Sequence, residues 1–221
     1  MNQFISKTTL KEQAYSYLKK AILKGEIEAG RIYSEQWFAD FLGVSRTPVR
    51  EAILQIRQEG LLETLPSKGI IVKEISPADI ESTFQIRQAI EGFCVVSIAR
   101  EVNSHAAQDL LNSLYTLIDT QKEAAGYMNS YRFTEVDELF HRHIINFVNN
   151  NKFVETFDDL RIRVYRLCMD TLKTEGRMRE TVNEHYEIYE KMKAGQPWEA
   201  YMAMNQHLSN AKKLLLSVCK H

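Results

Sequence analysis

In Leu42-Gly43-Val44-Ser45-Arg46-Thr47-Pro48-Val49-Arg50-Glu51, two helical patterns meet across three residues. On the upstream side, Ser34 suits the N-cap of a short helix that carries Trp37, Phe38 and Phe41 and stops at Gly43. On the downstream side, Ser45 suits the cap of a second helix that runs through Val49, Ile53, Leu54 and Ile56 and ends near Gly60. Two helices joined by a three- to four-residue turn with a glycine read as a helix-turn-helix. With Ser45 as N-cap, Arg46 and Arg50 stand four apart on one face of the first turns. In such a unit that end of the second helix enters the major groove, where an arginine pairs bidentately with guanine. Thr47 and the first-turn N–H groups suit phosphate oxygens, and Pro48 costs little where N–H groups lack helical partners anyway.

Before this unit, Thr9-Leu-Lys-Glu12 fits a capping box, and Ala14, Tyr17, Leu18, Ala21 and Ile22 follow at helical spacing up to Gly25. After it come two short apolar runs, Leu61–Leu65 and Ile70–Val72, around the turn Pro66-Ser67-Lys68-Gly69. This is a small hairpin, a wing. Taken alone, Arg46 and Arg50 also fit a solvated helix face; the ordered set of turn, cap, arginine pair and wing favours DNA.

Ser76-Pro77-Ala78-Asp79 opens a different region, with a cap, a proline at the first helical position and an acid in the first turn. We place the domain boundary here, with a winged head over 1–75 and an all-α domain over 76–221. Strand patterns then cease, and helices are expected over 77–101, 104–123, 128–149, 151–173, 177–193 and 197–218. The fold class is mainly α: a winged helix-turn-helix followed by an antiparallel six-helix bundle.

Global charge says little. The 221 residues carry 28 Lys+Arg and 29 Asp+Glu, and the 11 basic against 9 acidic residues of the head leave it only slightly positive. DNA binding therefore rests on where charges stand. Cys94, Cys168 and Cys219 are scattered and form no CxxC pair, which points to reduced, mostly buried thiols rather than a disulfide framework. The first ten residues are polar and no apolar run approaches a membrane span, so a soluble, cytoplasmic protein is expected.

In the helical part, Asp137 and His141 share a helical face, His185 lies in Asn-Glu-His-Tyr and His207 in Asn-Gln-His-Leu. Three helices of a bundle can converge these four. One carboxylate and three imidazoles suit Zn, Ni, Mn or Fe with positions left open. His143 points to the other side of its helix. Spacing alone equally allows surface histidines and an Asp137–His141 hydrogen bond. Arg163 is a pocket candidate on the fourth helix of the bundle. Phe133, Phe140, Phe147, Tyr165, Met169 and Met204 read as core packing.

The run LGVSRTPVREAILQIRQEGLLE and the Lys68-Gly69 turn resemble the GntR superfamily of bacterial transcriptional regulators. The resemblance implies that Arg46, Thr47 and Arg50 contact an operator and that Gly69 approaches the minor groove. Gln36 stands where some members carry an arginine. Trp37-Phe38 is bulkier than the usual pair, so Phe38 is expected in the core and Trp37 partly exposed. Residues 77–221 resemble the FCD ligand-binding domain of the FadR/VanR branch, through Phe84-Gln-Ile-Arg87-Gln-Ala-Ile-Glu91, Asp137-Glu-Leu-Phe-His141, Glu184-His185 and Gln206-His207-Leu208. That resemblance implies a metal on Asp137, His141, His185 and His207, and makes Arg87 the cation for a small organic acid.

Three functions fit these residues. The leading one is a homodimeric regulator, a repressor on a palindromic operator, tuned by a carboxylate metabolite bound near the metal. The second is a regulator for which the metal itself is the signal. The third is a metal-dependent enzyme fused to a DNA-binding head, which lacks a general base at a convincing spacing, since Glu138 and Glu184 point about 100° away from the ligands on their helices.

Overall fold

The computed structural model describes residues 9–172 and 174–218, without the side chains of 161–166, 170 and 218. The chain divides into two compact units, Met1–Glu74 and Ile75–His221.

In the first unit, Thr9 and Glu12 close the expected capping box on α1 (Leu10–Leu23). Ser34 caps α2 (Glu35–Leu42) by accepting from the Trp37 N–H, and α2 ends on Gly43 at φ 65°. That left-handed residue turns the chain sharply enough for α3 (Arg46–Gln58) to start three residues later. Ser45 is the N-cap residue of α3 by backbone conformation, but its side chain makes no capping hydrogen bond. Ser45 stays exposed, as does Thr47 in the following turn. Leu18, Ile22, Phe38, Val49 and Ile56 are buried, and form the core under the two helices of the turn motif. Tyr17, Phe41 and Leu54 fall on the helical pattern but are largely exposed. Tyr17 and Phe41 instead meet edge to face at 6.0 Å, and Phe41 stacks on the half-buried Trp37.

The wing is β2 (Leu62–Leu65) and β3 (Gly69–Val72), paired antiparallel with Leu65 opposite Gly69. The structure adds β1 (Ile32–Tyr33), which pairs with the other edge of β3 to make a sheet of order β1-β3-β2. A two-residue strand is too short to show alternation, which hides it from a reading of period. Its anchor is Tyr33, buried against Trp37 and Phe38.

The second unit contains α4 (Pro77–Arg100), α5 (His105–Gly126), α6 (Ser130–Phe147), α7 (Asn151–Thr171), α8 (Arg177–Lys193) and α9 (Pro197–Val218). These match the six expected helices to within a few residues at their ends. Ser76 and Asp79 form a capping box on α4, and Ser104 caps α5. The largest helix contact is between α4 and α9. It depends on Gly92, where a Cβ would lie 2.9 Å from the Tyr201 ring. That close approach brings the middle of α4 beside the helix that carries His207. Phe84, Phe133, Phe140, Ile188, Met192 and Met204 are among the buried residues around the middle of the bundle. Phe133, Phe140 and Met204 pack as the sequence suggests, Phe147 is only partly buried, and the side chain of Tyr165 lies outside the described residues.

Candidate functional sites

The head presents its polar side chains to solvent. Ser45, Arg46, Thr47 and Arg50 at the start of α3 are all exposed, as is Lys68 at the tip of the wing. One acid organises this surface. Glu35, the first residue of α2, accepts from Arg50 Nε at 3.1 Å and Nη2 at 2.9 Å, and from Arg46 Nη2 at 3.2 Å. The Arg50 hydrogen bond, then that of Arg46, outweighs partial burial and holds the Glu35 carboxyl below its usual range. The two guanidiniums are therefore tethered across the helix-turn-helix rather than left to roam. Gln36 is exposed and donates to Asp40 at 2.8 Å.

Gly69 has a structural reason to be glycine. Its φ is 133°, and a Cβ would lie 2.5 Å from the Tyr33 carbonyl oxygen. The β1–β3 pairing itself excludes any side chain at this position.

The bundle does the opposite and buries its polar side chains. His141 on α6, His185 on α8 and His207 on α9 are each 4% exposed or less, and one ring nitrogen of each lies within 4.8 Å of the others. Every one of the three rings is held by an outer partner on its Nδ1. His141 donates to Glu91 Oε2 at 2.5 Å, His185 to Gln121 Oε1 at 2.8 Å and His207 to Glu184 Oε2 at 2.7 Å. In the neutral ring with Nδ1 donating, Nε2 carries the lone pair. The Nε2 atoms of His141 and His185 are buried and have no hydrogen-bond partner. They face Asp137, at 3.9 Å from Oδ2 and 3.6 Å from Oδ1 respectively. Phe140 lies flat on the His185 ring, centroids 4.1 Å apart, so this core aromatic also sets a ring plane.

Two buried nitrogens with bare lone pairs would each cost on the order of 1–3 kcal/mol if nothing ever met them. A divalent cation meets both, and histidine ligands held on their second nitrogen by a carboxylate or amide are the usual architecture of such sites. Three of the four residues expected as ligands, His141, His185 and His207, are thus brought together, Asp137 lies beside the first two, and such a donor set fits a metal ion. His143 is not part of the cluster.

Electrostatics support the same arrangement. Burial raises the Glu91 carboxyl, but Arg87 and His141 outweigh it and bring it down to about 2. Burial also raises Glu184, and the hydrogen bonds from His207 and Arg177 bring it down to about 2. Burial, followed by the neighbouring His207 and His141, pushes His185 well below its ordinary value, so it is neutral and able to ligate. Arg87 is 2% exposed and its Nε donates to Glu91 Oε1 at 2.6 Å, while its Nη2 is buried without a partner. One edge of this guanidinium is committed to Glu91 and part of the other is unused. Arg163 lies on α7, but its side chain is outside the described residues.

The sequence reading missed Glu91, Gln121 and Glu184 as partners of the histidines. Glu91 was detectable as the i+4 neighbour of Arg87. Glu184 does point away from His185 on α8, and for that reason reaches His207 across the gap to α9. Gln121 carries no local signal.

Comparison with known proteins identifies both parts. Residues 10–72 match the model for bacterial regulatory proteins of the gntR family, and residues 82–210 match the FCD domain. The chain belongs to the GntR-family regulators that carry an FCD domain. Among similar proteins, a probable D-xylose utilization operon transcriptional repressor of Paenarthrobacter nicotinovorans is 25% identical over 93% of this chain and 88% of its own. A gluconate operon transcriptional repressor of Bacillus licheniformis is 25% identical over 79% of this chain and 68% of its own. The crystal structure of a putative GntR transcriptional regulator from Rhodococcus sp. RHA1 superposes with a TM-score of 0.76 at 20% identity, covering 94% and 97% of the two chains. The family and these relatives are transcriptional regulators, not enzymes. Among the described residues no helix is long and apolar enough to cross a membrane.

Proposed function

We propose that this protein is a cytoplasmic, homodimeric repressor that binds a palindromic operator and is tuned by a small carboxylate metabolite seated beside a divalent metal in the FCD domain. Arg46 and Arg50 read base edges, and Thr47, Ser45, Lys68 and Gln36 contact the backbone of the duplex. Gly69 allows the wing to pass close to the minor groove. Asp137, His141, His185 and His207 hold the metal, which supplies a fixed positive charge and a position for an oxygen ligand. The observation that carries the metal reading is the pair of bare, buried Nε2 atoms on His141 and His185.

Support for an anionic effector comes from the unused Nη2 of Arg87, a buried cation edge that favours an anion. The operons of the two relatives concern a sugar and a sugar acid, and the second has the carboxylate that this edge favours. Regulation requires that the metabolite bind one arrangement of the protein better than another; inverting a 1:99 population takes a preference of about 10⁴-fold. Dimeric helix-turn-helix proteins read two half-sites related by symmetry, which is why a palindrome is expected.

The test begins with genomic DNA fragments selected by the wild-type protein and footprinted. Arg50→Ala is expected to lose sequence-specific protection; unchanged protection overturns the recognition-helix assignment. Operator affinity is then followed while metal is removed with a chelator and restored, with and without gluconate and other small carboxylates. A response to carboxylate in the metal-loaded protein supports the proposal. A response to metal alone makes the metal the signal instead.

A further inference from the structure

The buried cluster contains one polar side chain that the Asp–His reading leaves without a task. Cys168 on α7 is half-buried and not part of a disulfide, and its Sγ donates to Asp137 Oδ2 at 3.6 Å. Cys94, by contrast, is enclosed by apolar residues of the core. Oδ2 is the same carboxylate oxygen that faces the bare Nε2 of His141, and Oδ1 faces the bare Nε2 of His185. A thiol and two unpartnered imidazole nitrogens therefore surround a single carboxylate, and they come from α6, α7 and α8.

The spacing of Sγ and Oδ2 is that of two donors to one ion. Bonds of about 2.1 Å to a carboxylate oxygen and about 2.3 Å to a sulfur place the two donor atoms about 3.6 Å apart at a tetrahedral angle. Oδ2 and Sγ already have this separation. The thiol needs no movement of α7 to share an ion with Asp137.

We propose that Cys168 is a sulfur donor to the metal of this site, and that it biases the site toward thiophilic divalent ions such as zinc and cobalt over manganese. The inference rests on the metal reading made above and deepens it. Three imidazoles and one carboxylate accept most first-row divalent metals, whereas a thiolate favours the softer ones. On coordination the sulfur gives a lone pair to the ion, its proton leaves to solvent, and no electron is transferred.

The test is optical and uses the full-length protein, stripped with a chelator and titrated anaerobically with Co²⁺. The wild type is expected to show visible d–d bands together with an intense sulfur-to-cobalt charge-transfer band in the near ultraviolet. Cys168→Ser is expected to keep the d–d bands and one equivalent of cobalt but to lose the charge-transfer band, and its preference for Zn²⁺ over Mn²⁺ is expected to fall at least about tenfold. X-ray absorption of the zinc-loaded wild type, which needs no variant to fold, is expected to show a sulfur scatterer at about 2.3 Å. Cobalt d–d bands without charge transfer in the wild type, or a charge-transfer band that survives in Cys168→Ser, overturn the role of Cys168 and leave the metal site standing. Failure to bind cobalt or zinc at all overturns both.

Discussion

The two units keep their polar chemistry in opposite places. In the head, Arg46, Arg50 and Glu35 form an ion-pair cluster at the surface, where the two arginines are more than half exposed. In the bundle, Arg87, Glu91 and His141 form a similar chain of charge-assisted contacts at 2% exposure or less. The difference lies in what each costs. Exposed pairs contribute little to stability, about 0–1 kcal/mol, and exchange readily for a phosphate or a base. Buried groups contribute little net stability as a set, yet removing one partner leaves another stranded without water. The head can therefore trade its contacts for DNA, while the bundle needs each member of its cluster.

The largest expected effect lies in the bundle. Glu91→Gln removes the carboxylate shared by Arg87 and His141 and strands a buried guanidinium, and is expected to cost about 3–5 kcal/mol. Urea unfolding of the chelator-treated protein measures it; a loss under 1 kcal/mol would mean that water reaches this cluster and that the contrast between units fails. Arg50→Ala in the head should leave the fold intact and remove about 1–3 kcal/mol of discrimination between operator and scrambled DNA, read by gel shift.

Gln121→Ala frees the His185 ring from its orienting partner and is expected to weaken metal binding about 10–100-fold by calorimetry, with little change in secondary structure. The pH dependence follows from His185. Its ordinary value is 6.5 and the folded value lies well below, so as pH falls through 6.5 the unfolded chain takes up the proton first. Stability of the metal-free protein is therefore full above 6.5 and declines below it. Glu91 and Glu184, brought down to about 2, stay charged throughout and add no slope there. Urea midpoints at pH 7.5 and 5.5 without metal test this, and equal midpoints would contradict a neutral buried His185.

Glu35→Gln is expected to show the smallest effect on stability, within about 1 kcal/mol by thermal melting. Its consequence should appear on DNA: with the tether weakened and a negative charge removed, non-specific affinity should rise while discrimination falls. If both affinities change in parallel, Glu35 contributes charge alone and does not position the arginines.

Legibility in the sequence followed distance along the chain. The capping boxes at Thr9–Glu12 and Ser76–Asp79, the Gly43 turn and the six helices of the bundle were readable because each depends on residues within one or two turns. β1 was not readable, because two residues carry no period and its pairing with β3 spans almost forty positions. Within the bundle, Asp137 and His141 were readable as an i, i+4 pair and His185 and His207 as candidates on two further helices, and resemblance to the FCD domain then singled out the four as one ligand set. Their partners Glu91, Gln121 and Glu184, and the thiol of Cys168, were not recognised for those roles. The i, i+4 spacing of Glu91 from Arg87 pointed to an ion pair but not to His141, and the others lie on helices at positions where an ordinary surface or core residue would look the same.

The sequence alone determined the local geometry: where each helix starts and stops, which glycine turns the chain, and that Arg46 and Arg50 share a face. Helical periodicity sets those relations, and 3.6 residues per turn is the same in any fold. Tertiary structure decided which side chains meet across helices. The closeness of α4 and α9 at Gly92, the three histidine nitrogens within 4.8 Å, and the approach of Cys168 to Asp137 arise from packing of elements far apart in the chain. The reason is physical. Burial leaves a polar atom only those partners that neighbouring helices bring to it, and no local pattern records which ones they are.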